Sequence, residues 1–189
     1  MRRLVVIAVA VLVLVVAVGA VSAARTDTTR GDEVPGTNCP TETSNQLAAQ
    51  TVPTASLVPC VSFLGGRWSI TSESYTDDGT TISMMMEDAP DIQWSVELAP
   101  SCDINQLTPR GESDGASLFE HEDQSGSSFE REQRLVFDGG CVTSTIDMPE
   151  RFDRRLVLED VDEALMFVDR RALDAQVRDQ TSGNLSLDP

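Results

Sequence analysis

The chain has 189 residues, a formal net charge of −17 and no lysine. Beyond residue 24, 12 arginines stand against 31 acidic residues, so this part of the chain carries −19. A surface this acidic repels nucleic acid and anionic lipid headgroups, which argues against both as partners. The residues beyond about position 60 are enough for one domain with its own hydrophobic core.

The first 24 residues have the order of an export signal. Arg2 and Arg3 precede an apolar run over residues 4–18, which small residues then close. If the segment is a cleaved signal peptide, Val21 and Ala23 satisfy the preference for small residues before the cleavage site. If the segment is retained as a transmembrane anchor, residues 4–24 supply 21 mostly apolar residues, and a membrane-spanning helix needs about 20. The apolar length favours the anchor, and the arginines place the N-terminus inside and the domain outside the cell membrane. Secretion after cleavage is the alternative.

Residues 25–38 contain one large apolar side chain, Val34, and are predicted to be a flexible linker. Residues 39–189 are predicted to be a single extracytoplasmic domain that disulfides stabilise. Three prolines at the start of this domain favour a disulfide-closed loop over a strand, with about one helical turn at residues 46–50.

Four cysteines in an oxidising compartment predict two disulfides. Three connectivities are open for Cys39, Cys60, Cys102 and Cys141. Sequential pairing, Cys39 with Cys60 and Cys102 with Cys141, is favoured because it closes short loops. A zinc site is disfavoured, since no C-x-x-C spacing occurs and His121 is the single histidine.

Alternating apolar and polar residues predict antiparallel strands in the middle of the chain. Residues 68–75 lead into Asp77-Asp78-Gly79, a typical hairpin turn, and residues 80–87 return. A third strand has one apolar and one wet face, with Ile92, Trp94, Val96 and Leu98 alternating with polar residues. The two tryptophans are predicted to anchor the core. Residues 111–128 are polar and predict a long loop, or a short strand between loops. Residues 135–137 and 141–148 flank Asp138-Gly139-Gly140 and predict a second hairpin.

The C-terminal pattern changes to helical spacing. Apolar residues recur at Val161, Ala164, Leu165 and Val168 behind a capping box of Asp160 and Glu163. The helix is predicted to continue through residues 169–180, with Arg170, Asp174 and Arg178 spaced for ion pairs and Gly183 as a C-cap. Strands followed by helices predict an α+β fold, a mainly antiparallel sheet with one face covered by the C-terminal helix or helices.

Residues 52–61, 136–143 and 167–189 together resemble an exported or membrane-anchored family of actinobacteria whose function is uncharacterised. The resemblance implies export and paired cysteines, and it brings no catalytic residues. Two departures are visible. The relatives carry a more aromatic and basic strand where this chain has Ser144-Thr145-Ile146-Asp147, and they have a proline near Asp169.

Three patterns suggest chemistry, and each has a structural interpretation that is preferred. Residues 111–115 match G-x-S-x-G around Ser113, but the strand before it, the helix after it and a distant downstream histidine are missing. The run Met84-Met85-Met86 could offer thioethers to Cu(I), yet strand alternation sends Met84 and Met86 into the core and Met85 away from it. The acidic clusters at residues 77–78 and 120–123 lack the ligand spacing of an EF-hand.

The sequence therefore predicts a non-catalytic, membrane-anchored binding or structural accessory of the cell envelope. It predicts no cofactor, no catalytic residue and no metal ligand, and it leaves the protein partner unknown. A small secreted hydrolase and a metal-binding module are the alternatives.

Overall fold

The computed structural model describes residues 43–62, 67–113 and 115–187, all within one compact unit. The predicted anchor at residues 1–24, the linker at residues 25–38 and Cys39 lie outside the described residues. None of the described helices is both long and apolar enough to cross a membrane.

The described residues form three helices and nine strands. The helices are α1 (Thr43–Thr51), α2 (Arg154–Ala164) and α3 (Arg170–Gln180). The strands are β1 (Leu57–Val61), β2 (Trp68–Thr76), β3 (Gly79–Met86), β4 (Ala89–Ala99), β5 (Thr108–Ser113), β6 (Ala116–Ser125), β7 (Ser128–Phe137), β8 (Gly140–Pro149) and β9 (Leu165–Asp169).

Seven strands form one antiparallel sheet in the order β2-β3-β4-β8-β7-β6-β5, and β1 pairs antiparallel with β9 in a second sheet. The α+β class is confirmed, with antiparallel sheet as its main component. One face of the large sheet, which we call the core face, carries the buried apolar residues of β3, β4, β7 and β8. The opposite face, the open face, carries mostly polar residues that solvent reaches, as the alternation of each strand requires.

The predicted meander over β2, β3 and β4 is confirmed. Gly79 closes the β2–β3 turn at φ +145°, and a Cβ there would lie 2.2 Å from the carbonyl oxygen of Leu98. Both the backbone angle and the close approach require glycine. Trp68 and Trp94 are buried as predicted, and their rings meet edge to face with centroids 5.4 Å apart.

The second predicted hairpin is confirmed as β7–β8. Its tip packs on the segment after α1, because Thr54 Oγ1 donates to the Gly139 carbonyl at 2.7 Å and the Ser56 N–H donates to the Asp138 carbonyl at 2.9 Å. At φ +71°, Gly139 has no room for a Cβ, which would overlap the Thr54 carbonyl oxygen. α1 occupies nine residues, so the single predicted turn was too short.

Neither a long loop nor a short strand between loops describes residues 111–128. This segment supplies the end of β5 and the whole of β6, which pairs with β7 over nine residue positions. β5 forms an edge of the large sheet, and β5 and β6 chiefly contact their sheet neighbours. Polar strands are stable here because their backbone groups pair in the sheet while most of their side chains stay in water.

At the C-terminus the structure has two helices, which was one of the predicted alternatives, and the continuous helix is wrong. α2 begins earlier, at Arg154, with Asp153 rather than Asp160 as its N-cap. Residues 165–169 form β9, and Asp169 then caps α3 through the N–H groups of Arg171 and Ala172. Pairing with β1, more than 100 positions earlier in the chain, overrides the helical spacing of this segment.

The end of α3 agrees in part with the prediction. Arg178 pairs with Asp174 at 2.7 Å, whereas the buried Arg170 donates to the carbonyls of Ala49, Val52 and Leu187. Gly183 adopts φ +79° just after the helix, and its N–H donates to the Arg178 carbonyl.

Cys102 and Cys141 form a disulfide, with their Cα atoms 5.9 Å apart. Cys102 belongs to the connection from β4 to β5, which crosses β8, β7 and β6 on the open face. The bond therefore fastens this crossover to β8. Cys60 is disulfide-bonded as well. Because Cys39 lies outside the described residues, the pairing of Cys39 with Cys60 stays a prediction.

Candidate functional site

An apolar cleft opens on the core face beside β9, and we call it the β9 cleft. Its volume is about 300 Å³. The large sheet contributes its floor, and the end of α2 together with β9 contributes one wall. The lining residues are Leu118, Gln133, Leu135, Val142 and Ser144 from the sheet, and Asp162, Leu165 and Phe167 from the wall.

The apolar part of the floor of the β9 cleft is one cross-strand row that continues from the core. Leu98 opposes Val142, Val142 opposes Leu135, and Leu135 opposes Leu118. Leu98 and Val142 are each 1% exposed, whereas Leu135 and Leu118 are only half-buried. The same apolar row thus passes from a covered region, where β1 contacts β4, to a region where the cover ends.

Polar side chains at the floor are engaged by neighbours. Ser144 Oγ accepts a hydrogen bond from Trp94 Nε1 at 2.9 Å, and Gln133 Nε2 donates to Glu120 at 2.9 Å. Glu120 also pairs with Arg110 at 2.7 Å. Since these groups are partnered within the protein, the surface offered to a ligand is chiefly apolar.

An ion pair closes one end of the β9 cleft. Arg131 of β7 donates to both carboxylate oxygens of Asp162 in α2, at 2.6 and 3.1 Å. The Arg131 side chain is 6% exposed and that of Asp162 is 51% exposed. This two-pronged contact fixes α2 against the sheet and engages both oxygens of the Asp162 carboxylate.

Two side chains with shifted pKa values lie away from the β9 cleft. Burial raises the pKa of Tyr75 on β2, and the neighbouring Glu73 raises it further. The N–H of Leu187 lowers the pKa of the Asp174 carboxyl, and Arg178 adds to that effect. Asp174 thereby holds the C-terminal segment against α3, which is a structural role.

The predicted hydrolase motif lies in a hairpin. Ser113 ends β5, Gly115 takes φ +79° in the turn, and Ala116 begins β6. The nucleophile elbow needs a strand followed by a helix, whereas here a turn and a second strand follow Ser113. The local backbone is therefore not that of a nucleophile elbow. His121 is exposed on the open face of β6, where it opposes Glu132.

The methionine run follows strand alternation as predicted. Met84 and Met86 are 1% and 2% exposed in the core, and Met85 lies on the open face. Their sulfurs therefore do not converge on one ion. In the part of the chain that the structure describes, no group of three His, Cys, Asp or Glu side chains is placed to hold a metal.

Sequence reasoning missed the residues that build the β9 cleft. Leu118 lay in the predicted loop and Phe167 in the predicted helix. The strand that carries Arg131 could have been recognised from the sequence, since Phe129, Leu135 and Phe137 alternate with polar residues. The partner Asp162 carried no such signal, because their contact depends on the tertiary fold.

Comparison of the chain with protein-family models, with curated proteins and with solved structures found no match. The resemblance to an exported actinobacterial family therefore stays a prediction.

Proposed function

We propose that this protein is a non-catalytic, extracytoplasmic binding domain that residues 1–24 anchor to the cell membrane, and that it holds an apolar ligand in the β9 cleft. The observation that carries the binding proposal is the half-buried apolar row that continues the core into an open cleft. The anchored topology rests on the pattern of the first 24 residues.

The disulfide between Cys102 and Cys141 supports a location outside the cytoplasm, because such bonds persist in oxidising compartments. A C-terminal tag, cell fractionation and an intact-mass measurement test the topology. A membrane-bound species of full mass supports the anchor. A soluble species that begins at Ala24 or Arg25 supports secretion instead, and a cytoplasmic species contradicts export.

The size and lining of the β9 cleft support binding of an apolar ligand. Its volume of about 300 Å³ is at the lower end of the range for small-ligand sites, roughly 300–1,000 Å³. Leaving this apolar surface uncovered has a cost in water, which a bound apolar group removes. The proposed site contains no pair of a nucleophile and a base, which is why the proposal is a binding function.

Titration with dodecanoate and with an environment-sensitive apolar fluorophore tests this function. Leu118→Asp places a charge on the cleft floor, so we expect affinity to fall by about tenfold or more. Ile70→Asp is the matched control, because Ile70 is 44% exposed at the far edge of the same sheet. Equal binding by the original chain and both variants, or no binding at all, contradicts the proposal.

A further inference from the structure

We infer that the occupant of the β9 cleft is an extended polypeptide segment of another protein, which adds to β9 as a third strand of the small sheet. This inference rests on the proposed binding function and specifies its ligand. It depends on the free edge of β9, on the rows of the cleft floor and on the charges that flank the edge.

The register between β1 and β9 determines which backbone groups face the cleft. The Ser62 N–H donates to the Ala164 carbonyl, and the Arg170 N–H donates to the Ser56 carbonyl. In an antiparallel pair, hydrogen-bonded and non-hydrogen-bonded positions alternate. Residues with even numbers from 164 to 170 therefore face β1, and the N–H and C=O of Phe167 point to the opposite edge.

Pro59 agrees with this assignment. It opposes Phe167 in the register and has no N–H to give, so the pair must occupy a non-hydrogen-bonded position. In the described part of the chain, β9 has no second strand neighbour. Phe167 thus presents one donor and one acceptor at the wall of an apolar cleft, the arrangement that strand addition uses.

A bare hydrocarbon chain would fill the apolar floor but would leave these two backbone groups without partners. An added strand lies about 4.8 Å from β9 and satisfies both. Its side chains would face two neighbouring rows of the floor. The first row ends in Leu135 and Leu118, and the second runs through Gln133 to Glu120. The expected segment therefore has an apolar residue followed, two positions on, by a polar or basic one.

Charge favours a segment with basic flanks. The exposed Glu163 precedes β9 and the exposed Asp169 ends it, whereas Asp162 is already paired with Arg131. The whole chain carries −17. The chain's own linker, residues 25–38, is a poor occupant because Val34 is its single large apolar side chain. A separate polypeptide fits these features better.

The test uses the full chain purified from an exporting host, in phospholipid nanodiscs if residues 1–24 are retained. The probe is a synthetic peptide of valine and threonine between terminal arginines, in which each valine is followed, two positions on, by a threonine. Its matched control has the same sequence with every backbone amide N-methylated. Residue-resolved hydrogen exchange follows the Phe167 amide, with the Met166 and Val168 amides as internal references.

We expect saturating peptide to slow exchange of the Phe167 amide by about tenfold or more, and to leave Met166 and Val168, which already face β1, within about twofold. N-methylation should weaken binding by about tenfold or more. Phe167→Pro removes the edge amide together with the ring that lines the cleft, whereas Phe167→Ala removes the ring alone. The proline variant should bind the peptide more weakly than the alanine variant, while both bind dodecanoate alike. Leu118→Lys should weaken both.

Other outcomes overturn the inference in distinct ways. If dodecanoate binds but the peptide neither binds nor protects Phe167, strand addition is wrong while the apolar binding function stands. If neither probe binds, the binding function fails too. If Phe167 becomes protected as protein concentration rises without peptide, a second copy of this chain occupies the edge and the inference is wrong.

Discussion

The covered and uncovered halves of the core face are built from the same cross-strand row, yet they differ in what lies above them. Leu98 and Val142 are buried where β1 contacts β4, with Val142 at the border of the β9 cleft, while Leu135 and Leu118 remain half-buried. The first half carries the stability of the domain. The second half carries the candidate binding site. Apolar composition alone does not distinguish them, because the difference arises from the extent of the covering layer.

Trp94→Ala in the covered half is expected to have the largest effect on stability. We expect a loss of about 3–5 kcal/mol in the free energy of unfolding, because the substitution leaves a cavity and removes the donor to Ser144. Urea unfolding measures it. Leu118→Ala in the uncovered half should cost less than about 1 kcal/mol. Similar losses for the two variants would contradict the assignment of stability to the covered half.

Removing the disulfide should loosen the uncovered half selectively. The bond spans 39 positions and fastens the β4–β5 crossover, so its loss is expected to cost about 2–4 kcal/mol. The double variant Cys102→Ala with Cys141→Ala tests this by hydrogen exchange. Amides of β5 and β6 should exchange faster, whereas those of β3 and β4 should change little. Uniform acceleration over all seven strands would show that the two halves are not separable.

Asp162→Ala should lower the free energy of unfolding by about 2 kcal/mol, because it leaves the buried Arg131 cation without its carboxylate. Adding Arg131→Met should restore much of the loss. Asp91→Ala is the matched control, since the Arg151–Asp91 pair is more than half exposed on both sides. It should cost about 0–1 kcal/mol. Equal costs for the two aspartate variants in thermal unfolding would contradict the account.

The smallest expected effect concerns pH. Hydrogen bonding to the Leu187 N–H lowers the pKa of Asp174 in the folded protein. Its contribution to stability is therefore present above the unfolded-state pKa and is lost as pH falls through the lower folded-state value. Asp174→Asn should flatten the acid side of the stability profile, measured by urea unfolding at a series of pH values. A profile that is unchanged would contradict this role.

Part of the fold could be predicted from the sequence because its signal is local. The alternation of Ile92, Trp94, Val96 and Leu98, together with the glycine turns, defined the strands that lie under the cover. In those strands one face is buried and the other is exposed to solvent, so apolar and polar residues alternate along the sequence.

The rest could not be predicted, for two physical reasons. β5 and β6 are only partly covered, so most of their side chains are polar and the few apolar ones, such as Leu118 and Phe119, do not alternate as in a strand with one buried face. β9 depends on pairing with β1, and Val161, Leu165 and Val168 fit a helix equally well until that distant partner is known. The β9 cleft lies where these two missed regions meet, which is why Leu118 and Phe167 escaped prediction.

The most direct test of the account is methyl NMR of the chain with the valine–threonine peptide bound. The account predicts intermolecular contacts from the peptide's valine methyls to the methyls of Leu118 and Leu135, and none to Val96 and Leu98 beneath the cover. Ile70, at the opposite edge of the sheet, should also remain without peptide contacts. Contacts at Ile70 without any at Leu118 would contradict the assignment of the uncovered half as the binding site.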